Sequence, residues 1–600
     1  MEIPTKSIAH ITKENWDKAN ALLLKKTLSE FAHELLIVPV LNGRNSYSVY
    51  TPEKTIEYTF EATIRALNHW SIPIDSIKKI TAQGEVPLRL LDFLIEFKAV
   101  LGIDENLLPT YLEEITSTLY STAYKIANEK YSAESLVNQD YQGIEHAMTE
   151  GHPCFVANSG KNGFNIDDFA QFSPEANAPV QLLWLAGHKS RATFSGIESL
   201  NYDKVLRQEL SLETIESFEK KIIEKGFATE DYYFFPVHPW QWFNKLALIF
   251  TPDIAEGNLI CLGYGTDNYS AQQSIRTFFN TTNPEKFYVK TALSVINMGF
   301  MRGLSPYYME STPVITKWVD DLVANDTYLQ QKGFTLLGEV ATVGYRNFIY
   351  EPLGRSLPHN KMLAALWRES PIPKLAEGQK IMTMAALLHV DNFGKSYVNE
   401  LIKASGIDAK SWIRCYLDAY LSPLLHCFYQ HEMVFMPHGE NLILVLENQI
   451  PVKAIMKDIT EEVMVFNTQM ELPDKAKRVQ IEAKDSFKIL CLFNDVFQFY
   501  FRFLSAVLSE SETLSENDFW SAVADCIHEY QEEHPHLEVQ FKKYNLFVSE
   551  FDSCCLNRLQ LRNNKQMLDL ASPIESLQFV GKLKNPIAEF ALKPNIEELV

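Results

Sequence analysis

The sequence predicts an α+β fold. Three observations carry that reading. Apolar residues recur with a helical period near the N-terminus, short β-rich stretches and turns fill the middle, and a helical pattern returns from about residue 360. No internal repeat and no low-complexity linker interrupts the chain, which sets solenoids aside. A prior of about 150 residues per domain divides the 600 residues into roughly four units.

Residues 13–36 read as an amphipathic helix, with Trp16, Ala19, Leu22, Leu23, Leu28 and Phe31 on its apolar stripe. Two β-rich pieces follow, LLIVPVL and YSVYTP, split by the turn pair Asn42-Gly43. Helices are expected at about 86–102 and 110–132, completing a mixed N-terminal region of roughly 150 residues. In the middle third, 203–224 reads as one helical insertion, and Phe287 to Ile296 reads as a strand with Lys290 inside it. Beyond that, helices are expected at 360–369, 377–390, 410–434, 485–509, 515–532 and 555–570. A hairpin is expected within this helical part: 442–446, a turn at 447–449, then 451–458. The boundaries fall near 150 and 360, giving regions 1–150, 151–359 and 360–600.

The net charge of -21 argues against a surface built for nucleic acid or anionic membrane, while leaving room for a small basic pocket. A 46% hydrophobic, 22% charged chain has enough apolar mass to fold, which excludes wholesale disorder. No basic-then-apolar leader is visible, and Ile489 to Leu508, the most apolar stretch, carries Asn494, Asp495 and Arg502 and reads as a buried helix. The eight cysteines form no CxxC pair, against zinc ribbons and thioredoxin-type chemistry, and adjacent Cys554 and Cys555 read as structural. A reduced, cytoplasmic protein is expected.

Several signatures are absent: GxGxxG, HExxH and GxSxG. Gly394-Lys395-Ser396 ends like a phosphate loop, but His389 stands where the first glycine belongs. The charge runs 457–462 and 530–534 read as solvated helix faces.

Four clusters carry polar chemistry. Residues 150–164 concentrate Gly, Asn, Ser and Lys161 in a segment that offers donors to an anion, and an ordinary Gly/Asn turn has the same composition. In 235–242, two prolines flank His238 beside two tryptophans, a pattern that suits a structural corner better than a catalyst. Ser274-Ile275-Arg276-Thr277 precedes Lys290 and Arg302, and from 271 to 302 four basic residues face one acid, Glu285. An ammonium inside an apolar strand is costly unless paired, and an anion would pair it. Finally, His438-Gly439-Glu440-Asn441, the hairpin and Asp458 converge if the hairpin forms. Asn and Asp oxygens suit Mg²⁺ together with nucleotide phosphates. Phosphoryl transfer and nucleotidyl transfer both fit these residues.

The segments EGHPCFVANSGKNGF, FPVHPWQW, SIRT with Lys290 and Arg302, and HGENLILVL with Asp458 resemble, in that order, the IucA/IucC family of siderophore synthetases that work without a nonribosomal peptide synthetase. The motifs span roughly 140–460. The resemblance implies a three-lobed, hand-like fold of thumb (1–150), fingers (151–359) and palm (360–600), with a largely helical C-terminal third and often a homodimer. It implies that ATP and Mg²⁺ are used to convert a carboxylate into an acyl-adenylate, releasing pyrophosphate, and that an amine or hydroxyl then attacks. Ser274, Arg276, Thr277, Lys290 and His438 would hold ATP, and Asn441 and Asp458 would hold ATP and Mg²⁺. Arg302 and His438 would be catalytic, and Asn158, Ser159, Lys161 and Arg302 would bind the carboxylate. The first motif is most similar to members acting on citrate monoamide or succinyl-type carboxylates, with Lys161 where an Arg is usual; citrate itself also fits. The alternative is a small-molecule kinase of the aminoglycoside-phosphotransferase type. Glu440 stands where its metal-loop Asp belongs, and the chain is far longer.

Overall fold

The computed structural model describes residues 4–148, 150–354, 356–562 and 577–591. The first helix, Lys13–His33, begins at Thr12, whose side chain accepts from the Asn15 N–H. It packs on Leu108–Asn128 and Leu90–Glu96. Val40–Leu41 and Ser46–Tyr50 pair across the expected turn and open an antiparallel five-stranded sheet, continued by Glu57–Glu61, Lys78–Thr81 and Gly84–Val86. Leu24, Leu28, Phe31, Tyr58, Phe93 and Ile115 are buried in the shared core.

An eight-stranded antiparallel sheet dominates the middle of the chain. Its order is Tyr232–Val237, Val180–His188, Leu259–Ala271, Thr277–Asn280, Tyr288–Thr291, Ala364–Arg368, Glu339–Tyr345 and Ala192–Gly196. Three sequence expectations change here. The strand containing Lys290 stops at Thr291, and the helical insertion is two helices, Tyr202–Glu209 and Leu212–Glu224, because Ser211 caps a new start. The segment expected as a helix at 360–369 is a 3-10 turn followed by the strand Ala364–Arg368. That strand lies between two others and is buried at every position, so its apolar run shows no period that separates helix from strand.

The second expected helix that changes, 377–390, is the strand Lys380–Thr383 and a 3-10 turn. It pairs with Leu442–Glu447, which forms the expected hairpin with Ile450–Met456; Thr335–Leu336 joins that strand in parallel. Asn448 and Gln449 both have positive φ, as a tight hairpin turn requires. The helices Ala409–His431 and Glu516–Glu533 match their expected positions and pack together. Residues 485–510 run as one helix with a π-helical middle, Phe493–Phe501. Of the expected helix 555–570, Leu556–Arg562 is helical and 563–570 lies outside the described residues. Arg502 reaches back to the first helix, with Nη1 and Nη2 3.1 and 2.8 Å from the Glu30 carboxylate oxygens. Both side chains are buried, so the two ends of the chain are joined by an ion pair shielded from water. Among the described residues no helix is long and apolar enough to cross a membrane. The described cysteines are all free, and Cys554 and Cys555 are buried.

Candidate functional site

The large sheet supplies one half of the site. Its register sets Thr277 opposite Lys290 and Tyr288 opposite Arg368. Tyr288 and Lys290 are two residues apart on one strand, so Thr277, Lys290 and Arg368 project from the same face. The preceding turn folds tightly: Ile275, a buried β-branched residue, takes φ 57°, and the Ser274 hydroxyl donates to the Thr277 hydroxyl at 2.9 Å. A non-glycine residue held at positive φ stores strain, as binding turns often do.

The four-stranded sheet supplies the other half. Zipping the hairpin brings its ends together, with the Lys457 N–H donating to the Asn441 carbonyl at 2.9 Å. Asp458 then turns into the left-handed region (φ 57°, ψ 43°) at the head of a short helix, Ile459–Glu462. This turn aims the Asp458 and Glu461 carboxylates at the sheet, where Glu339 supplies a third. Lys290 Nζ lies 2.9 Å from Asp458 Oδ1, 3.1 Å from Glu461 Oε2 and 3.8 Å from Glu339 Oε1. Arg368 approaches the other Asp458 oxygen at 3.2 Å, and Arg276 approaches Glu461 at 3.5 Å. Burial would raise the Asp458 pKa, but Lys290, Arg368 and Lys457 overcome it and hold the carboxyl far below its usual range. Burial likewise opposes the Lys290 charge, and Asp458, Glu461 and Glu339 outweigh it, so the ammonium holds its proton more tightly than usual.

The segment 457–462 is thus no solvated helix face: Lys457, Ile459 and Thr460 are buried, and the carboxylates of Asp458 and Glu461 face the sheet cations. The cost of Lys290 in its strand is met by the protein's own carboxylates. Lys286, part of the same basic stretch, points elsewhere, to Asp267 at 2.7 Å.

Arg302 sits beyond Arg276. Its Nη2 donates to Asn297 Oδ1 at 2.7 Å, while Arg276 Nη1 donates to the Gly303 carbonyl at 2.5 Å. Burial, and then repulsion from Arg276, lower the Arg302 pKa to about 10, still a cation at neutral pH. The Nε atoms of Arg276, Arg302 and Arg368 are buried and have no hydrogen-bond partner among the described residues. Buried donors without partners are expensive, and an anionic ligand removes that cost.

His438 opens the 3-10 turn Gly439–Asn441. Asn441 Nδ2 lies 3.1 Å from His438 Nε2 and also contacts Glu462. An amide nitrogen donates, so Nε2 accepts and the neutral ring carries its proton on Nδ1. That Nδ1 is buried and has no partner among the described residues. Burial lowers the His438 pKa to about 4, so the ring is neutral at physiological pH. Gly439 is needed for close approach: a Cβ there would lie 2.7 Å from the Tyr500 ring and 2.8 Å from Ala385 Cα.

His438, Glu440 and Asn158 also line a cavity of about 860 Å³ that extends to the first helix at Lys26 and to His389 and Tyr500. Asn158 reaches this cavity. Ser159 and Lys161 are buried behind it: Lys161 Nζ donates to Glu175 at 2.8 Å and to the Ser159 carbonyl at 2.8 Å. His238 is the structural corner its sequence suggests, with Nδ1 accepting from the Trp240 N–H. Sequence reasoning missed Arg368, hidden in a segment read as helix, and Glu339 and Glu461. For Glu461 the signal was present in the charge run after Asp458; for Glu339 and Arg368 none was.

The sheet face and the residues from Asp458 onward thus bring buried cations and carboxylates together. A family profile described as IucA / IucC family matches residues 140–389, and one described as ferric iron reductase FhuF-like transporter matches 410–569. Putrebactin synthase of Shewanella sp. (strain MR-4) is 48% identical, over 97% of this chain and 93% of that one. The citryl-spermidine/3,4-dihydroxybenzoyl-citryl-spermidine:spermidine ligase of Bacillus anthracis is 27% identical, over 99% of this chain and 97% of that one. Among solved structures, the petrobactin biosynthesis protein AsbB of Bacillus anthracis str. Sterne superposes with a TM-score of 0.87 at 24% identity, covering 98% of both chains. ATP-bound aerobactin synthetase IucA from Klebsiella pneumoniae superposes with a TM-score of 0.75 at 16% identity, covering 95% of this chain and 99% of that one. On the near-complete match to the putrebactin synthase, this chain belongs to the IucA/IucC family of siderophore synthetases.

Proposed function

We propose that this protein activates a carboxylate of citrate, or of a citrate or succinate derivative, with ATP and joins it to an amine or hydroxyl to give an amide or ester. One observation carries the reading. The buried Nε donors of Arg276, Arg302 and Arg368 and His438 Nδ1, without a hydrogen-bond partner among the described residues, surround the Lys290–Asp458 cluster. That is a set of anion donors beside hard oxygen ligands. The relatives support it: one is named a putrebactin synthase, another joins citryl-spermidine to spermidine, and one neighbour was solved with ATP bound. The kinase alternative finds no support, since these relatives are synthases and ligases.

In this reading Ser274, Arg276, Thr277 and Lys290 bind the phosphates. The carboxylate oxygen attacks the α-phosphorus and pyrophosphate leaves. Arg302 offsets the charge repulsion between the two anions, and neutral His438 donates from Nδ1 to the developing oxyanion. Asn441 and Asp458, with Glu461 nearby, offer the oxygen ligands that Mg²⁺ takes; when bound it would neutralise phosphate charge. The nucleophile then attacks the acyl carbon and AMP departs. Asn158 contacts the carboxylate substrate from the cavity, with Ser159 and Lys161 holding that wall in place. Glu440, whose carboxyl is pushed up by burial and held back by Arg302, faces the same cavity.

In this reading the chain divides into thumb (1–150), fingers (151–359) and a palm (360–600) with a largely helical C-terminal third. A cytoplasmic homodimer is included, which sedimentation tests. Incubation with ATP, Mg²⁺, citrate or its monoamide, and hydroxylamine tests the chemistry. AMP, pyrophosphate and a hydroxamate are expected; ADP as the nucleotide product would overturn the proposal.

A further inference from the structure

A second polar cluster lies far from this site. Asp326 ends the long helix Pro306–Asn325 and caps the next, Thr327–Gln331. Its Oδ1 accepts from the Leu329 N–H at 3.0 Å, which orients Oδ2 toward two imidazoles of the helix Ala409–His431. His426 Nε2 lies 3.0 Å from Oδ2 and His431 Nε2 lies 2.9 Å from it. The three donor atoms all fall within 4.8 Å of one another.

The surroundings hold these groups in place. His426 Nδ1 lies 3.0 Å from the Tyr530 hydroxyl, so its far nitrogen is fixed and Nε2 is presented inward. Metal-ligating histidines commonly have their second nitrogen anchored in this way. The Tyr328 ring stacks on His426 at 4.6 Å, and His534 packs at 5.1 Å, which limits rotation of the imidazole. The His426 side chain is 5% exposed and those of Asp326 and His431 are 12% and 17% exposed, so a water can reach one side.

We propose that Asp326, His426 and His431 bind one divalent transition ion of the Zn²⁺ or Co²⁺ class. Two imidazoles and one carboxylate, with water as the fourth ligand, are a recurrent set for such ions. Bonds of about 2.0–2.1 Å at tetrahedral angles put ligand atoms ~3.4 Å apart. The two imidazole–carboxylate separations therefore need to open by only a few tenths of an ångström. Mg²⁺ prefers oxygen ligands and is not expected here. The ion would staple the junction of two helices to the C-terminal end of Ala409–His431. The helix Pro306–Asn325 meets the site at Thr312, which contacts Thr460, about 21 Å before Asp326 at 1.5 Å per residue. The role is therefore structural, and synthesis rates are not expected to depend on it.

The test uses the full chain after chelator treatment. Zn²⁺ binding is measured by calorimetry, Co²⁺ by its visible ligand-field absorption, and Tm with and without Zn²⁺. Asp326→Asn keeps a capping side chain, and His431→Gln alters the more exposed ligand, so both are expected to fold. Wild type should bind one equivalent that each variant loses, with a four-coordinate Co²⁺ spectrum and a Zn²⁺-dependent rise in Tm absent from both variants. Mg²⁺ should give none of these. Equal binding by wild type and both variants, or no binding by wild type, would overturn the proposal.

Discussion

Lys290 and Asp458 are 168 residues apart in sequence, yet the ammonium of one lies 2.9 Å from the carboxylate of the other. This contact joins the eight-stranded sheet to the end of the hairpin, and with it the proposed phosphate-binding turn to the proposed metal ligands. Each partner is costly to bury alone, so the two halves of the site stabilise each other.

Removing one partner should therefore cost far more than the pair is worth. Lys290→Met leaves Asp458, Glu461 and Glu339 facing one another, with an expected loss of about 3–5 kcal/mol in denaturant unfolding. The double variant Lys290→Met/Asp458→Asn should recover part of that loss. Additive losses in the cycle would contradict the coupling.

Arg302→Ala and His438→Ala should each slow pyrophosphate release and hydroxamate formation by roughly tenfold or more, at about 1.4 kcal/mol per factor of ten. Circular dichroism should be unchanged. Full activity in either variant would remove that residue from the proposed chemistry.

Gly439→Ala should depress the same rates without unfolding the protein. The added methyl meets Tyr500 and the Ala385 backbone and must displace the loop that aims His438 and Asn441. A variant with wild-type rates would show that this loop tolerates movement.

Lys161→Met distinguishes substrate contact from support. Lys161 and Glu175 are almost fully buried together. Burial raises the Glu175 pKa, but Lys161 and Lys125 overcome it and bring the carboxyl to about 2. The expected result is a lowered denaturation midpoint with the carboxylate KM changed less than about twofold, below ~0.4 kcal/mol. A large KM increase at unchanged stability would place the ammonium on the substrate.

The acid sensitivity of the fold has a predictable sign. Burial alone takes the His238 imidazole from 6.5 down to about 3. Between those values the unfolded chain binds the proton and the folded chain does not, so stability falls as pH drops from 6.5 toward 3. His238→Asn keeps an acceptor for the Trp240 N–H and removes this titration. Its denaturation midpoint should fall less steeply with acid than that of wild type; equal slopes would contradict the assignment.

Local pattern alone determined much of this molecule. The first helix shows in its apolar period, the hairpin in Leu442 to Asp458, and the site motifs in Ser274, Arg276, Thr277, Arg302, His438 and Asn441. These signals are short-range: periodicity, turn chemistry and residue types set close together. What they left undecided was partnership. Ala364–Arg368 is a strand because neighbours hydrogen-bond both its edges, and nothing within its five residues encodes those neighbours. The charges of 457–462 looked solvated because their counter-ions, Lys290, Arg368 and Arg276, arrive from strands and turns distant in sequence. Lys161 looked free to bind substrate because Glu175 lies across a fold that the sequence does not display. Sequence specified which groups the protein has; the tertiary structure decided which of them are already paired, because pairing in a low-dielectric interior depends on distance in space.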